Sequence, residues 1–284
     1  MHTHRMDVPF LGSEALAAGL LTRHQLRTRF VAVHQDVYVP ADTDLTPVLK
    51  ARACWLRSRR RGVLVGFSAA AIHGSKWISP RRPAEIADDN RRPAPNVIAR
   101  AVQVDAGEVC ERSGMRLTTP VRTAIDLLCW YPPDTAIPAV DALARATRLK
   151  VCDIEALAEF HRGRRGIRRA RAALKMVDPG AESPRETWLR LLIIRAGLPW
   201  PDSQIAVRNE YGVVIAEVDL GWEALKIAVE YEGEHHRTNR RVFNRDIHRM
   251  EALIELGWIV IRVTVEDPPA GIIQRIRAAL ARRQ

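Results

Sequence analysis

The most regular alternation of apolar and polar residues lies in the last third of the chain. Leu189, Leu192 and Ile193 share one helical face, in a segment that begins after Ser183 and ends at Gly197. The pattern that follows predicts strands over 204–207, 213–220 and 225–232, a long helix over 239–256, a strand over 258–263 and a closing helix over 271–282. The predicted order is α-β-β-β-α-β-α, which indicates an α/β unit.

Four acidic residues fall on two neighbouring predicted strands. Because side chains alternate across a strand, Glu217 and Asp219 share one face of the second strand, and Glu230 and Glu232 share one face of the third. A short connection joins the two strands, so we expect the acidic faces to be adjacent. Crowded carboxylates repel each other, and hard oxygen ligands suit Mg²⁺ or Mn²⁺. The pattern therefore indicates a divalent metal site, and the alternative is a solvent-exposed strand face with unpaired acids.

Histidine and arginine residues follow the third strand. His236 can orient water or serve as a general acid or base beside a metal site, although histidines at a strand end are also ordinary loop residues. The next predicted helix carries four basic residues: Arg240, Arg241, Arg245 and Arg249. These arginines either bind a phosphodiester backbone or form a solvated helix face paired with Asp246 and Glu251.

The segment 1–78 has the order helix, turn, basic helix and hairpin. A helix from Ser13 ends at Gly19, Thr22 caps a second helix, and apolar alternation over 31–39 predicts the hairpin. The second helix carries four basic residues: Arg23, His24, Arg27 and Arg29. This is the order of a winged helix-turn-helix, in which the second helix enters the major groove of DNA. A small helical bundle with a solvated basic face fits the same pattern.

The middle segment, 79–181, is rich in predicted helices. After a loop region rich in proline and arginine, the pattern predicts one strand over 97–104 and helices over 121–129, 135–147, 153–160 and 163–177. The last helix opens with a basic run from Gly163 to Arg171. Such a run is either a solvated face or a nucleic-acid contact. The remaining residues, 182–284, form the α/β unit described above.

The composition narrows the class of molecule that the protein is expected to bind. The net charge of +11 and the isoelectric point of about 10.2 favour a polyanion such as nucleic acid or an anionic membrane surface. No stretch is long and apolar enough to span a bilayer. The four cysteines are far apart in sequence and form no CxxC pair, which favours free thiols in a reducing compartment over zinc or disulfides. We therefore expect a cytoplasmic protein.

The acidic pattern also resembles a known family. At Asp219-x10-Glu230-Tyr231-Glu232-Gly233-x2-His236, and again at Arg245-Asp246-x2-Arg249 and Gly257-Trp258-x3-Arg262, the sequence is similar to the domain-of-unknown-function 559 family. That family is similar to the very-short-patch repair endonucleases of the PD-(D/E)xK superfamily. The resemblance covers residues from about 183 to 280. It implies a restriction-endonuclease-like fold, with a mixed central sheet flanked by helices.

The same resemblance assigns roles residue by residue. Asp219 and Glu230 match the acidic metal ligands of the family, and His236 matches its histidine. Glu232 stands where the superfamily often has lysine and this family usually has aspartate, which leaves the general base open between Glu232 and His236. Glu186 matches a helical glutamate that often completes such sites, and a helix-capping role explains it equally well.

A second resemblance concerns the first two segments. Four stretches are similar to abortive-infection-type antitoxins: residues 15–19, 21–26, 37–39 and 68–74. The middle stretch 118–126 is similar to the second segment of such proteins. This resemblance implies a winged-helix domain followed by an antitoxin-like α+β segment.

Two functions of different class follow. The first is a metal-dependent endonuclease that acts on double-stranded DNA, which the N-terminal domain positions. A homodimer is one expectation for it, since single-site nucleases often need two copies to cut both strands. The second is a non-enzymatic transcriptional regulator with a degenerate nuclease fold and a toxin as its partner. An RNA-directed protein is a weaker third, because the sequence offers no aromatic platform for unpaired bases.

Overall fold

A computed structural model describes residues 8–90, 92–232 and 240–283, the side chains of 240–247 excepted. The fold is mixed α/β, with several sheets flanked by helices. Contacts divide the chain into two compact units, one that extends to Val177 and one that begins at Asp178. Within the part of the chain that the structure describes, no helix combines the length and the apolar character needed to cross a membrane.

The first unit contains eight of the strands and eight of the helices in the described residues. In chain order they are β1 (Phe10–Leu11), α1 (Gly12–Ala17), α2 (Arg23–Arg29), β2 (Phe30–His34), β3 (Val37–Pro40), α3 (Pro47–Arg57), β4 (Val63–Leu64), α4 (Gly66–Ile72), β5 (Ala84–Ala87), β6 (Val97–Arg100), β7 (Val109–Arg112), β8 (Met115–Thr118), α5 (Pro120–Trp130), α6 (Pro133–Thr147), α7 (Val151–Phe160) and α8 (Ile167–Leu174). A 3₁₀ turn, Ala106–Glu108, precedes β7.

The first residues build the predicted helix, basic helix and hairpin. A reciprocal capping box begins α2, in which the Thr22 hydroxyl accepts from the Gln25 amide and the Gln25 side chain accepts from the Thr22 amide. Strands β1, β3 and β2 form an antiparallel sheet in that order. Leu11 and Val37 of this sheet pack against Ala53 of α3, which closes a small core.

Helix α3 also joins this layer to a larger sheet. Ala51 and Cys54 pack with Leu64, Ile86 and other residues of a mixed five-stranded sheet, whose order is β6-β5-β4-β8-β7. Strand β4 pairs antiparallel with β5 and parallel with β8. Strands from both the 1–78 and the 79–181 segments therefore share one sheet and one compact unit. Only β6 of the middle segment has a counterpart among the predicted strands, and it ends at Arg100 rather than at residue 104.

The second unit has the predicted order α-β-β-β-α-β-α. Its elements are α9 (Pro184–Arg195), β9 (Asp202–Arg208), β10 (Val214–Trp222), β11 (Ile227–Tyr231), α10 (Arg240–Glu255), β12 (Ile259–Val263) and α11 (Pro269–Ala281). A 3₁₀ turn, Glu223–Leu225, connects β10 to β11. The order that apolar alternation predicts is thus confirmed.

The four strands of this unit form a mixed sheet with helices on both faces. The strand order is β12-β11-β10-β9, and only the β11–β12 pair is parallel, since α10 provides the crossover between them. Ile227 and Val229 pack on one face with residues of α9 and α11. Ala228 faces the other side, where it packs with Leu253 of α10. Hydrophobic cores on both faces hold β10 and β11 at the centre of the sheet, where the acidic residues lie.

Candidate functional site

The strand register brings Asp219 and Glu230 together. Leu220 pairs with Val229 in the antiparallel β10–β11 ladder, and one further step of this register sets Asp219 opposite Glu230. A hydrogen bond fixes the aspartate at this position, because the Tyr231 amide donates to Asp219 Oδ2 at 2.9 Å. Two carboxylates on central strands thus stand side by side, as the sequence predicts.

Glu186 contributes a third carboxylate from the first turn of α9. The Ser183 hydroxyl caps this helix by accepting from the Glu186 amide. The Glu186 carboxylate, in a residue that is only 8% exposed, accepts from the Glu182 amide, from the Ser183 hydroxyl and from Gln204 Nε2 on β9. Glu186 therefore serves as a helix cap and also adds negative charge beside the two strand carboxylates.

The environment of Asp219 disfavours its charge. Burial raises the pKa of Asp219 to about 7, and the negative charges of Glu186 and Glu230 add to the effect. The Tyr231 amide and Arg249 act in the opposite direction and only partly compensate. Among the described residues, Asp219 Oδ2 has its hydrogen bond and Oδ1 has none. Within the described part of the chain, no partner would compete with a cation for the second oxygen.

Glu230 already has a cationic partner. Arg249 of α10 donates from both terminal nitrogens to the two carboxylate oxygens, at 2.5 and 2.9 Å, in a bidentate pair. The Glu230 side chain is 6% exposed and that of Arg249 is 28% exposed. Arg249 Nη1 also reaches the Glu217 carbonyl oxygen at 3.4 Å. Arg249 is thus an internal counter-ion for the site, whereas the sequence offered phosphate binding or a solvated helix face for it.

Glu232 stands at the exposed end of β11. It forms an ion pair with Arg262 of β12, and its amide donates to the Val263 carbonyl oxygen at 2.8 Å. The Glu232 side chain is 30% exposed, although its Oε1 atom is itself buried. Lys226, at the other end of β11, donates to the Leu256 carbonyl oxygen and takes no part in the site.

The acidic residues provide part of the oxygen ligand set that a divalent cation needs. Within the described ranges, no three His, Cys, Asp or Glu side chains are gathered closely enough to hold a metal ion. Asp219 nevertheless offers a half-buried carboxylate with a raised pKa beside two further acids, and one of its oxygens has no partner among the described residues. Hard cations take oxygen ligands of this kind. Asp219 and Glu230 would hold the ion, and Glu230 would then exchange Arg249 for it.

The remaining predicted site residues divide into two groups. His236 and the side chains of Arg240, Arg241 and Arg245 lie outside the described residues. Arg23, His24, Arg27 and Arg29 are all exposed on α2. No hydrogen bond or ion pair occupies these four side chains among the described residues, and Leu26 is the buried residue that anchors the helix. Helix α2 therefore presents a basic face that is unpaired within the described residues.

Sequence reasoning missed the two arginines that neutralise the acids. Arg249 and Arg262 are both part of the sequence pattern that resembles the nuclease family, but the pattern does not show which side chains they meet. Strand register supplies the missing information, since Glu230 pairs with Arg262 in the parallel β11–β12 ladder. The only signal in the sequence was that arginine, rather than lysine, stands at both positions.

Two curated proteins of Mycobacterium tuberculosis are similar to the chain along almost its whole length. They are uncharacterized protein Rv2248 of strain H37Rv and uncharacterized protein MT2308 of strain CDC 1551, each 30% identical over 270 residues. Each alignment covers 92% of this chain and 98% of the relative. The chain therefore belongs to the same family as these mycobacterial proteins. No family model and no solved structure matches the chain.

Proposed function

We propose that the protein is a metal-dependent DNA endonuclease of the PD-(D/E)xK class, acting in the cytoplasm. The observation that carries this proposal is that Asp219 and Glu230 meet on the two central strands of a mixed sheet with helices on both faces, beside Glu186 of α9. This arrangement agrees with the restriction-endonuclease-like fold that the sequence resemblance implies. In this proposal, residues 182–284 are the endonuclease domain.

The site residues would divide the work of phosphodiester hydrolysis. A bound Mg²⁺ or Mn²⁺ would stabilise charge on the phosphorane-like transition state and lower the pKa of the attacking water. Asp219 and Glu230 would hold that ion. Glu232, whose side chain is partly exposed, would orient the water and accept its proton. His236 is the other candidate for this role on sequence grounds.

The first unit would bring DNA to the site. In this proposal residues 1–78 form a winged helix-turn-helix, and residues 79–181 an antitoxin-like α+β segment. Arg23, His24, Arg27 and Arg29 on the basic face of α2 would contact the major groove and the flanking phosphates. The net charge of +11 would add sequence-independent attraction to double-stranded DNA. A homodimer would allow both strands to be cut.

A second candidate function has its own support. Arg249 occupies both oxygens of Glu230, and Arg262 pairs with Glu232. Two of the acids are therefore neutralised by the protein itself, as expected of a degenerate site. A DNA-binding transcriptional regulator, with a toxin as its partner, would need the basic helix and no metal.

Plasmid cleavage separates the two functions. Purified protein is incubated with supercoiled plasmid and Mg²⁺ or Mn²⁺, beside an EDTA control. We expect metal-dependent nicking, and the Asp219→Asn variant should lose more than about 100-fold in rate, because even the residues that support a metal ligand contribute roughly 10–100-fold. Glu217→Gln is the matched control, since it removes an exposed carboxylate from the same strand.

The outcome assigns the function. Nicking that Glu217→Gln retains and Asp219→Asn loses supports the endonuclease. Equal nicking by both variants would refute the proposed role of Asp219. If folded wild-type protein shifts DNA on a gel without cleaving it, and if Mn²⁺ leaves its thermal midpoint unchanged, the regulator becomes the better description.

A further inference from the structure

A basic cleft lies in the first unit and involves none of the acidic residues discussed above. Its volume is about 790 Å³. Nine residues line it: Arg100, Ala101, Val102, Cys129, Trp130, Arg164, Arg165, Gly166 and Arg169. All of them belong to β6, the loop after it, the end of α5, the segment that leads into α8 and the first turn of α8. The cleft is therefore built within one compact unit, by elements that pack on one another.

Arginine dominates the walls of the cleft. Arg100 pairs with the buried Glu85, at 2.5 Å, and Arg169 donates to the Cys129 carbonyl oxygen at 2.5 Å. Arg165 is exposed and has no hydrogen bond or ion pair among the described residues. The internal ion pairs do not neutralise all the arginines, so the cleft retains positive charge. This charge favours an anionic ligand.

A buried network fixes the fourth arginine. Arg164 pairs with Asp126, whose side chain is fully buried and also accepts from Arg122 Nε at 2.9 Å. Arg122 in turn pairs with Glu108. The second terminal nitrogen of Arg164 is buried and has no hydrogen-bond partner in the described chain. Arg164 is therefore held in the wall of the cleft by its ion pair with Asp126.

Trp130 adds a flat apolar surface to these donors. The guanidinium carbon of Arg100 lies 4.3 Å from the centroid of the Trp130 ring, and that of Arg164 lies 5.6 Å from it. Gly166 lets the next segment approach closely, because its φ of +88° is in the left-handed region and a Cβ there would overlap the Cys129 carbonyl oxygen. Stacked arginine and tryptophan planes are surfaces on which nucleobases also stack.

We propose that this cleft binds a nucleotide-sized organic phosphate. Its volume falls in the range of small-ligand sites, roughly 300–1,000 Å³. Arginine suits phosphate because its planar fork donates two parallel hydrogen bonds to phosphate oxygens, and Trp130 supplies the surface for a flat ring. The concave shape favours a small ligand over the convex surface of a DNA duplex. This inference does not depend on the acidic site or on its metal.

Isothermal titration calorimetry on the full chain tests the proposal, with EDTA present so that the acidic site takes no part. The probes are adenosine diphosphate, inorganic pyrophosphate and a short DNA duplex. We expect saturable binding of adenosine diphosphate, tighter than that of pyrophosphate because of the stacked ring. Arg165→Ala should weaken nucleotide binding by about tenfold, the value of one charge-assisted hydrogen bond.

A neighbouring arginine provides the matched control. Arg168 is exposed on α8, does not line the cleft, and carries the same charge. Arg168→Ala should therefore leave nucleotide binding within about twofold. Equal losses in the two variants would show diffuse attraction rather than a site and would overturn the proposal. Binding of the duplex without binding of either small phosphate would overturn it as well, as would pyrophosphate binding as tightly as the nucleotide.

Discussion

The substitution Asp219→Asn should stabilise the metal-free protein at neutral pH. Asparagine has the shape of the protonated side chain and keeps an oxygen that can accept from the Tyr231 amide. What it removes is a half-buried negative charge beside Glu186 and Glu230. The variant therefore isolates the electrostatic cost of ionising Asp219, with little change in packing.

The size and the pH dependence of this effect follow from the pKa of Asp219. The pKa lies at about 7 in the folded protein and at its ordinary value of 3.8 when the residue is solvated. Between these values the folded state holds a proton that the unfolded chain has released, so the stability of the wild type falls as the pH rises from about 4 to about 7. The full difference corresponds to about 4 kcal/mol, which is the upper limit. The Asp219→Asn variant should not show this loss of stability with rising pH.

Urea denaturation in EDTA, followed by tryptophan fluorescence over a series of pH values, measures the effect. The variant and the wild type should have similar free energies of unfolding near pH 4, and the variant should be the more stable above pH 7. Glu217→Gln, on the exposed part of the same strand, should follow the wild type at every pH. If Asp219→Asn also followed the wild type throughout, the carboxylate would carry no burial cost and the electrostatic reasoning would be refuted.

Two further predictions concern arginines that form ion pairs with buried acids. Arg249→Met should destabilise the metal-free protein by about 2 kcal/mol in urea denaturation, less than for a fully buried pair because Arg249 is 28% exposed. It should also tighten Mn²⁺ binding in a calorimetric titration, and unchanged affinity would show that Arg249 does not compete for Glu230. Arg122→Met should cost roughly 3–5 kcal/mol, since it leaves Glu108 and Asp126 buried with one partner fewer. Arg168→Met is its control, and a loss no larger than the control's would contradict a structural role for the network.

The sequence predicted the second unit well because its signals are local. Its strands are five to nine residues long, and apolar residues recur along each of them. The N-cap Ser183 and the following Pro184 predict the start of α9. The five-stranded sheet of the first unit went largely unpredicted. Val63–Leu64 and Ala84–Ala87 are too short to show a period, and β4 pairs with β8 across more than fifty residues of sequence. Non-local pairing of short strands leaves no local trace.

For the candidate site too, the sequence predicts some contacts and not others. The adjacency of Asp219 and Glu230 was predictable because a short connection forces β10 and β11 into an antiparallel pair. The partnership of Glu230 with Arg249 was not, because helical periodicity gives the face of α10 but not its rotation against the strands. The pairing of Glu232 with Arg262 depends on the parallel register of β12, which follows a helical crossover.

The contrast between Glu230 and Asp219 bears on the choice between the two functions. Arg249 stabilises the charge of Glu230, so no metal is needed to account for this buried carboxylate. Asp219 has no bidentate partner of this kind among the described residues, and its charge lowers stability at neutral pH. A purely structural role would be filled equally well by asparagine, which accepts the same hydrogen bond from Tyr231. A destabilising carboxylate beside two other acids is what a cation site requires before its cation arrives. The unfavourable charge of Asp219 therefore argues for the metal-dependent enzyme over the degenerate scaffold.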